Sequence, residues 1–181
     1  MDKSELRTHI RKLKKHYSKE ELQRKSIQVI KRIESATVFR DAEVVMCYWS
    51  MDDEVYTQGF MEKWLFHKLL LLPVIEKEQL IIKQFHGLMS MKPDPRFGIL
   101  EPEGKEFIET DNIDLILVPG VAFDKNKNRM GRGKAFYDKL LPKLNCPKVG
   151  ICFDFQFVDN VPVNHYDIAM DMVVTESLIL E

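Results

Sequence analysis

The sequence predicts an α/β fold, a single domain with a mostly parallel sheet flanked by helices. The length of 181 residues fits one domain with a proper hydrophobic core. Two helical patterns of apolar residues open the chain, and short apolar runs then alternate with helix-compatible stretches. Because this alternation is typical of parallel strands covered by helices on both faces, we expect a layered α/β architecture.

Two amphipathic helices are predicted at the amino-terminal end. Apolar residues recur at the spacing of one helix face from residue 6 to 13 and again from residue 22 to 33. Ser18 and Glu21 have the spacing of a capping box, so the second helix should begin at Ser18.

Strands are predicted where apolar runs are too short for helices and are bounded by polar or turn residues. These runs lie at 44–49, 68–74, 79–85, 114–120 and 148–153. Helix-compatible stretches lie at 54–66 and 134–141. Residues 90–106 contain three prolines and two glycines and predict a long surface loop.

Charge and composition exclude several classes of partner. With 27 basic and 28 acidic residues and a net charge of -1, nothing indicates a nucleic-acid or membrane-surface partner. The first twenty residues lack the apolar stretch of a signal peptide, and the longest apolar run, at 69–75, is far too short to span a membrane. Three cysteines without a CxxC pair suit a reducing compartment. We therefore expect a cytoplasmic protein. We also expect it to be a monomer.

The stretch RMGRGKAFYD at residues 129–138 carries the clearest functional signal. Its two glycines stand just before a predicted helix, where free backbone N–H groups and the helix dipole favour an anion. Cations crowd the same place, namely Lys125, Lys127, Arg129, Arg132 and Lys134. We expect a polyphosphate partner, although a solvated basic loop or an RNA contact would give the same charge pattern.

Two general phosphate-binding motifs do not fit this stretch. A Walker A loop needs GxxxxGK[ST], but the GK pair at 133–134 is followed by Ala135, and Asn128 stands at the first glycine position. GxGxxG fails because Phe136 occupies the position of its third glycine. Asp138 lies in the first turn of the predicted helix, as an anchor for Mg²⁺ on phosphates or as a simple partner of the helix dipole.

Segments along nearly the whole chain resemble a known family. Residues 118–141, VPGVAFDKNKNRMGRGKAFYDKLL, resemble the signature of the 5-formyltetrahydrofolate cyclo-ligases, also called methenyltetrahydrofolate synthetases. Further matches, in the family's order and spacing, are KSELR at 3–7, YWSMDDEVYT at 48–57, FGILEP at 97–102 and VPVNHYD at 161–167. The resemblance implies one cyclo-ligase domain over residues 1–181, Rossmann-like and similar to the scaffold of sugar-phosphate isomerases and CoA transferases.

The resemblance also implies the positions of two binding sites. The matches to the family's ATP site are Lys3, Ser4, Glu5, Leu6, Arg7, Arg129, Met130, Gly131, Arg132, Gly133, Lys134, Ala135, Phe136 and Tyr137. The matches to its folate-contacting positions are Trp49, Glu54, Arg132, Gly133, Lys134, Ala135 and Phe136. By the same resemblance, Lys134 and Arg132 are the catalytic pair nearest the transferring phosphate, and Asp138 and Asp167 are the carboxylates linked to Mg²⁺. The sequence departs from the family where Ala135 replaces a frequent glycine and Phe136 a frequent tyrosine.

Most of these residues also have a simpler interpretation. The basic stripe between residues 3 and 15 is typical of a solvated helix face. Glu54 could lie in the first turn of a helix that begins near Asp52, where acids are common. Trp49 could belong to the core, and Asp167 could be an ordinary surface residue.

The implied reaction is the ATP- and Mg²⁺-dependent cyclisation of 5-formyltetrahydrofolate to 5,10-methenyltetrahydrofolate. Phosphorylation of the formyl oxygen gives an iminium phosphate intermediate, and ADP and phosphate are released. Forms of the substrate with and without a polyglutamate tail are both compatible with the resemblance. Two other classes stay open, since fold alone does not fix function. One is a different enzyme on a similar scaffold, such as a sugar-phosphate isomerase or a CoA transferase, and the other is a non-catalytic protein that holds folate or nucleotide.

Overall fold

The computed structural model describes residues 1–95 and 98–181, so Arg96 and Phe97, the first residue of the FGILEP segment, lie outside the described residues. Within them the strands are β1 (Val44–Met46), β2 (Leu69–Glu76), β3 (Gln79–Gln84), β4 (Met91–Pro93), β5 (Leu100–Pro102), β6 (Leu115–Pro119), β7 (Ala122–Asp124), β8 (Arg129–Met130), β9 (Lys148–Ile151), β10 (Phe157–Val158), β11 (Met172–Val174) and β12 (Ile179–Leu180).

The central sheet has the strand order β12-β11-β9-β6-β1-β2-β3. Strand β1 pairs in parallel with β2 and β6, and β9 pairs in parallel with β6 and β11. The strands at the two edges, β3 and β12, are antiparallel to their neighbours. The predicted α/β class with a mostly parallel sheet is therefore confirmed. Strands β10, β7 and β8 form a second small sheet, which carries the start of the glycine and arginine stretch.

The helices flank this sheet, and the longest two lie at the amino-terminal end. Their bounds are α1 (Lys3–Lys14), α2 (Lys19–Ser35), α3 (Thr37–Asp41), α4 (Gln58–Trp64) and α5 (Phe136–Leu140). The predicted capping box is confirmed, because the Ser18 hydroxyl accepts from the Glu21 N–H and the Glu21 carboxylate accepts from the Ser18 N–H. Helix α1 begins with a second capping box, between Asp2 and Glu5.

Alternate residues along the strands contribute to two separate apolar clusters. In β1, Val45 packs in a cluster with Val29 and Ile33 of α2, whereas Met46 packs in a cluster with Leu140 of α5. Because successive side chains of a strand point to opposite faces, these clusters lie on the two faces of the sheet. The sheet is thus buried on both sides, as the near-continuous apolar runs predict.

The ring of Phe123 explains why residues 120 and 150 are glycines. Its side chain is fully buried, and a Cβ at Gly120 would lie 2.5 Å from the ring, while a Cβ at Gly150 would lie 2.4 Å from it. Both positions must stay without a side chain for the ring to fit. Gly120 and Phe123 belong to the segment that resembles the family signature, so part of that signature serves packing.

Three predicted elements differ from the structure. The helix predicted at 54–66 is only α4 (Gln58–Trp64), because the Thr57 hydroxyl donates to the Tyr48 carbonyl at 2.5 Å and holds the preceding residues in a loop. Glu54 therefore does not lie in a first helical turn. The helix predicted at 134–141 is only α5, followed by a 3₁₀ turn at Leu141–Lys143.

The long loop predicted at 90–106 is the third difference. It contains the antiparallel pair β4 and β5, with Met91 opposite Pro102. A proline is tolerated in a two-stranded ribbon because its missing N–H can face the unpaired edge. The prolines therefore did not prevent strand pairing.

Two further properties bear on the expectations from composition. Cys47, Cys146 and Cys152 are buried free thiols, as apolar surroundings predict, and burial raises the pKa of Cys47 to about 12. No helix within residues 1–95 and 98–181 is both long and apolar enough to cross a membrane.

Candidate active site

A cavity of about 260 Å³ lies at the carboxyl ends of β1 and β6. From β1 the chain adds β2 and β3 on one side and later adds β6, β9 and β11 on the other, so the strand order reverses between β1 and β6. In open α/β sheets this switch point is where ligands bind. Tyr48 and Trp49, just after β1, and Pro119 and Gly120, at the end of β6, line the cavity.

One wall of the cavity is apolar. It is built by Trp49, Leu72, Pro73, Leu80, Ile99 and Leu100. Trp49 is half-buried and its ring centroid lies 5.7 Å from that of Phe85 in the core. Trp49 therefore packs against the core and also lines the cavity. This wall suits a flat, largely apolar ring system.

The glycine and arginine stretch also lines the cavity. The cavity-lining residues among the predicted site residues are Trp49, Glu54, Arg129, Gly131, Arg132, Gly133, Lys134, Ala135, Phe136, Tyr137 and Asp138. The structure therefore brings all seven positions matched to folate, and eight of the fourteen matched to ATP, around one space. The predicted residues that do not line it are Lys3, Ser4, Glu5, Leu6, Arg7, Met130 and Asp167.

The glycine turn exposes backbone donors. Gly133 has φ 97° and Ala135 has φ 54°, so both are in conformations with positive φ, where glycine is favoured. In the part of the chain that the structure describes, the N–H groups of Gly133, Lys134 and Ala135 donate to no protein acceptor. Such a turn can bind an anion through its backbone. The helix that follows has only five residues, so the expected contribution of its dipole is small, which corrects the prediction of a longer helix here.

The three cations of the cavity differ in their partners. Arg129 pairs with Asp138, and Arg132 pairs with Asp53 and Glu54. Among the described residues, Lys134 has neither an ion-pair nor a hydrogen-bond partner, and it is exposed. An unneutralised ammonium group beside unpaired backbone donors is therefore the feature of this wall most available to an anionic ligand.

Arg129 is a buried cation with fixed partners. Its side chain is 4% exposed, Nη1 donates to the Pro119 carbonyl at 3.2 Å, and Nη2 donates to Asp138 Oδ1 at 2.6 Å. Its guanidinium lies 5.4 Å from the ring centroid of Tyr137, and a Cβ at Gly131 would lie 2.9 Å from Nη1. Arg129 therefore holds Asp138 and the glycine turn in place.

Arg132 joins the turn to the loop after β1. Its Nη2 donates to Asp53 Oδ1 at 2.5 Å and to Glu54 Oε1 at 3.0 Å, and Lys14 of α1 donates to Asp53 Oδ2 at 2.9 Å. Burial alone would raise the pKa of Asp53, but the hydrogen bonds from Arg132 and Lys14 lower it. Burial would likewise lower the pKa of Arg132, but Glu54 and Asp53 raise it. Asp53 and Arg132 are therefore both charged at neutral pH.

The phenol of Tyr137 stays protonated. Burial, and then the nearby Glu54 carboxylate, raise the pKa of Tyr137 far above its usual value. The hydroxyl can therefore act as a hydrogen-bond donor at the cavity wall at any physiological pH.

Helix α1 reaches the glycine turn from the other side. Arg7 Nε donates to the Gly131 carbonyl at 3.0 Å, and a Cβ at Gly133 would lie 3.6 Å from the Arg7 guanidinium. Lys3 Nζ lies 2.5 Å from Asp167 Oδ2. The basic stripe is thus partly engaged with the rest of the protein rather than simply solvated.

The other predicted residues of α1 have structural roles. Glu5 accepts from the Asp2 N–H, and the Ser4 N–H donates to the Asp2 carboxylate, so both serve the helix start. The side chains of Leu6 and Met130 are buried in one apolar cluster.

The two predicted metal carboxylates both have cationic partners. Asp167 accepts from Lys3 and from the Asn164 N–H, and its side chain is only 12% exposed, so it is not an ordinary surface acid. Asp138 lines the cavity and uses Oδ1 for Arg129. Among the described residues, no group of three or more His, Cys, Asp or Glu side chains forms a ready metal cage. Mg²⁺ bound to phosphates needs only one or two protein carboxylates, and Asp138, which lines the cavity, fits that requirement.

Sequence reasoning did not single out Asp53, Lys14 or Asp124. Asp53 lies in the YWSMDDEVYT segment, where two adjacent acids ahead of Glu54 were the available signal. Asp124 is fully buried and accepts from the N–H groups of Asn126, Asn128 and Val161, so it fixes the turn that leads into β8.

Solved structures and named proteins resemble this chain. A solved 5,10-methenyltetrahydrofolate synthetase of Aquifex aeolicus is 34% identical, with a TM-score of 0.88 over 99% of this chain and 92% of that one. A probable 5-formyltetrahydrofolate cyclo-ligase of Caenorhabditis elegans is 30% identical, over 96% of this chain and 92% of that protein. The 5-formyltetrahydrofolate cyclo-ligase of Escherichia coli K12 is 32% identical, over 77% of this chain and 81% of that protein.

The sheet and its cavity define an α/β protein with a cavity at the switch point, the usual place for ligand sites in such sheets. The family model for the 5-formyltetrahydrofolate cyclo-ligase family matches residues 1–176. The chain belongs to that family.

Proposed function

We propose that this protein cyclises 5-formyltetrahydrofolate to 5,10-methenyltetrahydrofolate with ATP as phosphoryl donor. The observation that carries the proposal is a cavity of about 260 Å³, lined by apolar residues around Trp49 and by a glycine turn with Lys134, which has no ion-pair or hydrogen-bond partner among the described residues. The apolar lining suits the flat faces of a pterin, and the glycine turn suits a terminal phosphate. Membership of the cyclo-ligase family supports the same reaction.

The chemistry explains why ATP is needed. A formamide carbonyl is a poor electrophile, and its oxygen is a poor leaving group. In the proposed reaction the formyl oxygen attacks the γ-phosphorus and ADP leaves, which gives an iminium phosphate. N10 of the same folate then attacks the formyl carbon and loses its proton, and phosphate departs as the five-membered ring is completed.

The side chains of the site have little covalent work in this reaction. In-line positioning and neutralisation of charge on the equatorial oxygens dominate phosphoryl transfer. We assign these tasks to Lys134, Arg132 and the free N–H groups of residues 133–135. Trp49 and the apolar wall would hold the pterin, and Glu54 would accept hydrogen bonds from it.

The proposed nucleotide site extends from the glycine turn to α1. Arg7 already contacts the turn, and Lys3 lies beside Asp167, so both cations could reach phosphate oxygens after a side-chain rotation. We propose Asp138 and Asp167 as the residues that would hold Mg²⁺. When bound, Mg²⁺ would neutralise charge on the phosphates.

Folate-dependent ADP release distinguishes the proposed function from the alternative functions. The protein is mixed with MgATP and 5-formyltetrahydrofolate, and the methenyl absorbance and ADP are followed together. The proposal predicts equal amounts of methenyl product and ADP. A sugar-phosphate isomerase or a CoA transferase would release no ADP in response to folate, and a folate reservoir would bind the substrate without forming product.

A further inference from the structure

The carboxylate of Asp53 is shared between two cations from distant parts of the chain. Oδ1 accepts from Arg132 Nη2 at 2.5 Å, and Oδ2 accepts from Lys14 Nζ at 2.9 Å. Lys14 Nζ also donates to the Asp53 carbonyl at 2.6 Å, and the Lys14 side chain is only 13% exposed. Helix α1 thus fixes Asp53, and Asp53 in turn contacts the glycine turn.

The contacts hold one edge of the Arg132 guanidinium. Nε and Nη2 donate to Glu54 Oε1, at 3.2 Å and 3.0 Å, and Nη2 also donates to Asp53. Within the described residues Nη1 has no hydrogen-bond partner, and Arg132 lines the cavity. Because a guanidinium is planar and rigid, fixing the Nε and Nη2 edge also fixes the direction of the Nη1 donors.

This arrangement is unlike an isolated surface ion pair. The Arg132 side chain is 43% exposed, and an exposed arginine normally samples many rotamers. Restricting it before the substrate arrives removes an entropic cost from the reaction itself. The restricted side chain is that of Arg132, which belongs to the proposed catalytic pair. Part of the restraint comes from Asp53, which does not line the cavity.

We propose that Asp53 is a positioning residue that orients Arg132 toward the transferring phosphate, and that Lys14 holds Asp53 for this task. The proposal rests on the proposed function, in which Arg132 meets that phosphate. Asp53 itself touches neither nucleotide nor folate.

The test is a double-mutant cycle with Asp53→Ala and Arg132→Ala, measured as kcat and KM for ATP. Misplacement of a positioned group costs on the order of 100-fold in rate, so we expect Asp53→Ala to lower kcat about 10- to 100-fold. The KM for ATP should change less than about threefold. In the Arg132→Ala background, Asp53→Ala should have almost no further effect, because the residue through which it acts is gone.

Asp52→Ala is the matched control. Asp52 is adjacent, its side chain is 95% exposed, and its ion-pair partner is Lys19, at 3.7 Å. Its replacement should leave kcat unchanged. Asp53→Asn, which keeps the shape of the side chain, should also lower kcat and guards against a folding defect in Asp53→Ala. Wild-type kcat in Asp53→Ala, or the same fold-loss in both backgrounds, would overturn the proposal.

A second measurement separates this proposal from the proposed function. The side-chain Nε–H resonance of Arg132, assigned by its loss in Arg132→Ala, reports the orientation of the guanidinium without any turnover. We expect Asp53→Ala to shift or broaden it and Asp52→Ala to leave it unchanged. An unaltered resonance in Asp53→Ala refutes the positioning role, whereas a wild-type protein that forms no methenyl product refutes the proposed function instead.

Discussion

Replacement of Lys134 by alanine should abolish most turnover and leave the fold intact. Lys134 is exposed and, among the described residues, has no ion-pair or hydrogen-bond partner, so its loss should change the free energy of unfolding by less than about 0.5 kcal/mol. Loss of one preorganised charge stabiliser raises a reaction barrier by about 2.7 to 4 kcal/mol. Since about 1.36 kcal/mol corresponds to a factor of ten, kcat should fall about 100- to 1000-fold.

The assay follows methenyl absorbance at saturating MgATP and 5-formyltetrahydrofolate, with the melting temperature measured on the same samples. Lys139→Ala is the control, because Lys139 is an exposed lysine of α5 outside the cavity lining. It should retain wild-type kcat. A Lys134→Ala variant with kcat within threefold of wild type, or an equal loss in Lys139→Ala, would refute the role assigned to Lys134.

Three further predictions concern stability. Gly150→Ala should lower the free energy of unfolding by about 1 to 3 kcal/mol, because its Cβ would lie 2.4 Å from the Phe123 ring, and the melting temperature should fall by about 2 to 12 °C. Ala135→Gly should keep or raise stability by up to about 1 kcal/mol in chemical denaturation, because φ is 54° at this position and a left-handed conformation is costly for alanine. The stability difference between wild type and Asp53→Asn should be complete above the usual carboxyl pKa of 3.8 and should shrink in acid titrations below it, because the folded-state pKa of Asp53 is lowered.

Each of these has a result that contradicts it. Gly59→Ala is the control for Gly150→Ala, since its Cβ would make only an ordinary contact of 3.7 Å, and an equal loss in both would remove the packing explanation. A loss of more than about 1 kcal/mol in Ala135→Gly would show that the left-handed conformation is not strained. A stability difference for Asp53→Asn that grows below pH 3.8 would have the wrong sign.

The sequence predicts the buried strands of the sheet better than it predicts helix ends and the pairing within loops. The buried runs at β2 and β6 are recognisable because a strand covered on both faces is apolar throughout. The length of α4 cannot be predicted from the sequence, because it depends on the hydrogen bond from the Thr57 hydroxyl to the Tyr48 carbonyl. The local pattern of apolar residues does not indicate this hydrogen bond. The pair of β4 and β5 was missed for a similar reason, since tertiary pairing overrides the loop signal of proline.

The sequence predicts where the candidate site lies, but it predicts only part of the ion pairs and hydrogen bonds within it. Cations and glycines in one stretch indicate the turn, and the resemblance adds Trp49 and Glu54 to the same space. The sequence does not reveal that Arg129 is buried against Asp138 while Lys134 has no partner in the described part of the chain, because both are cations near glycines. Arg129 lies in β8 of the small sheet, whereas Lys134 lies in the glycine turn that follows it.

The central claim is that the glycine turn binds the terminal phosphate of a nucleotide beside the folate cavity. A crystal structure of the protein with a bound non-hydrolysable ATP analogue tests it most directly. We expect the γ-phosphate within hydrogen-bond distance of the N–H groups of residues 133–135 and of Lys134 Nζ. A nucleotide bound elsewhere, with the turn unoccupied by any phosphate, would contradict it.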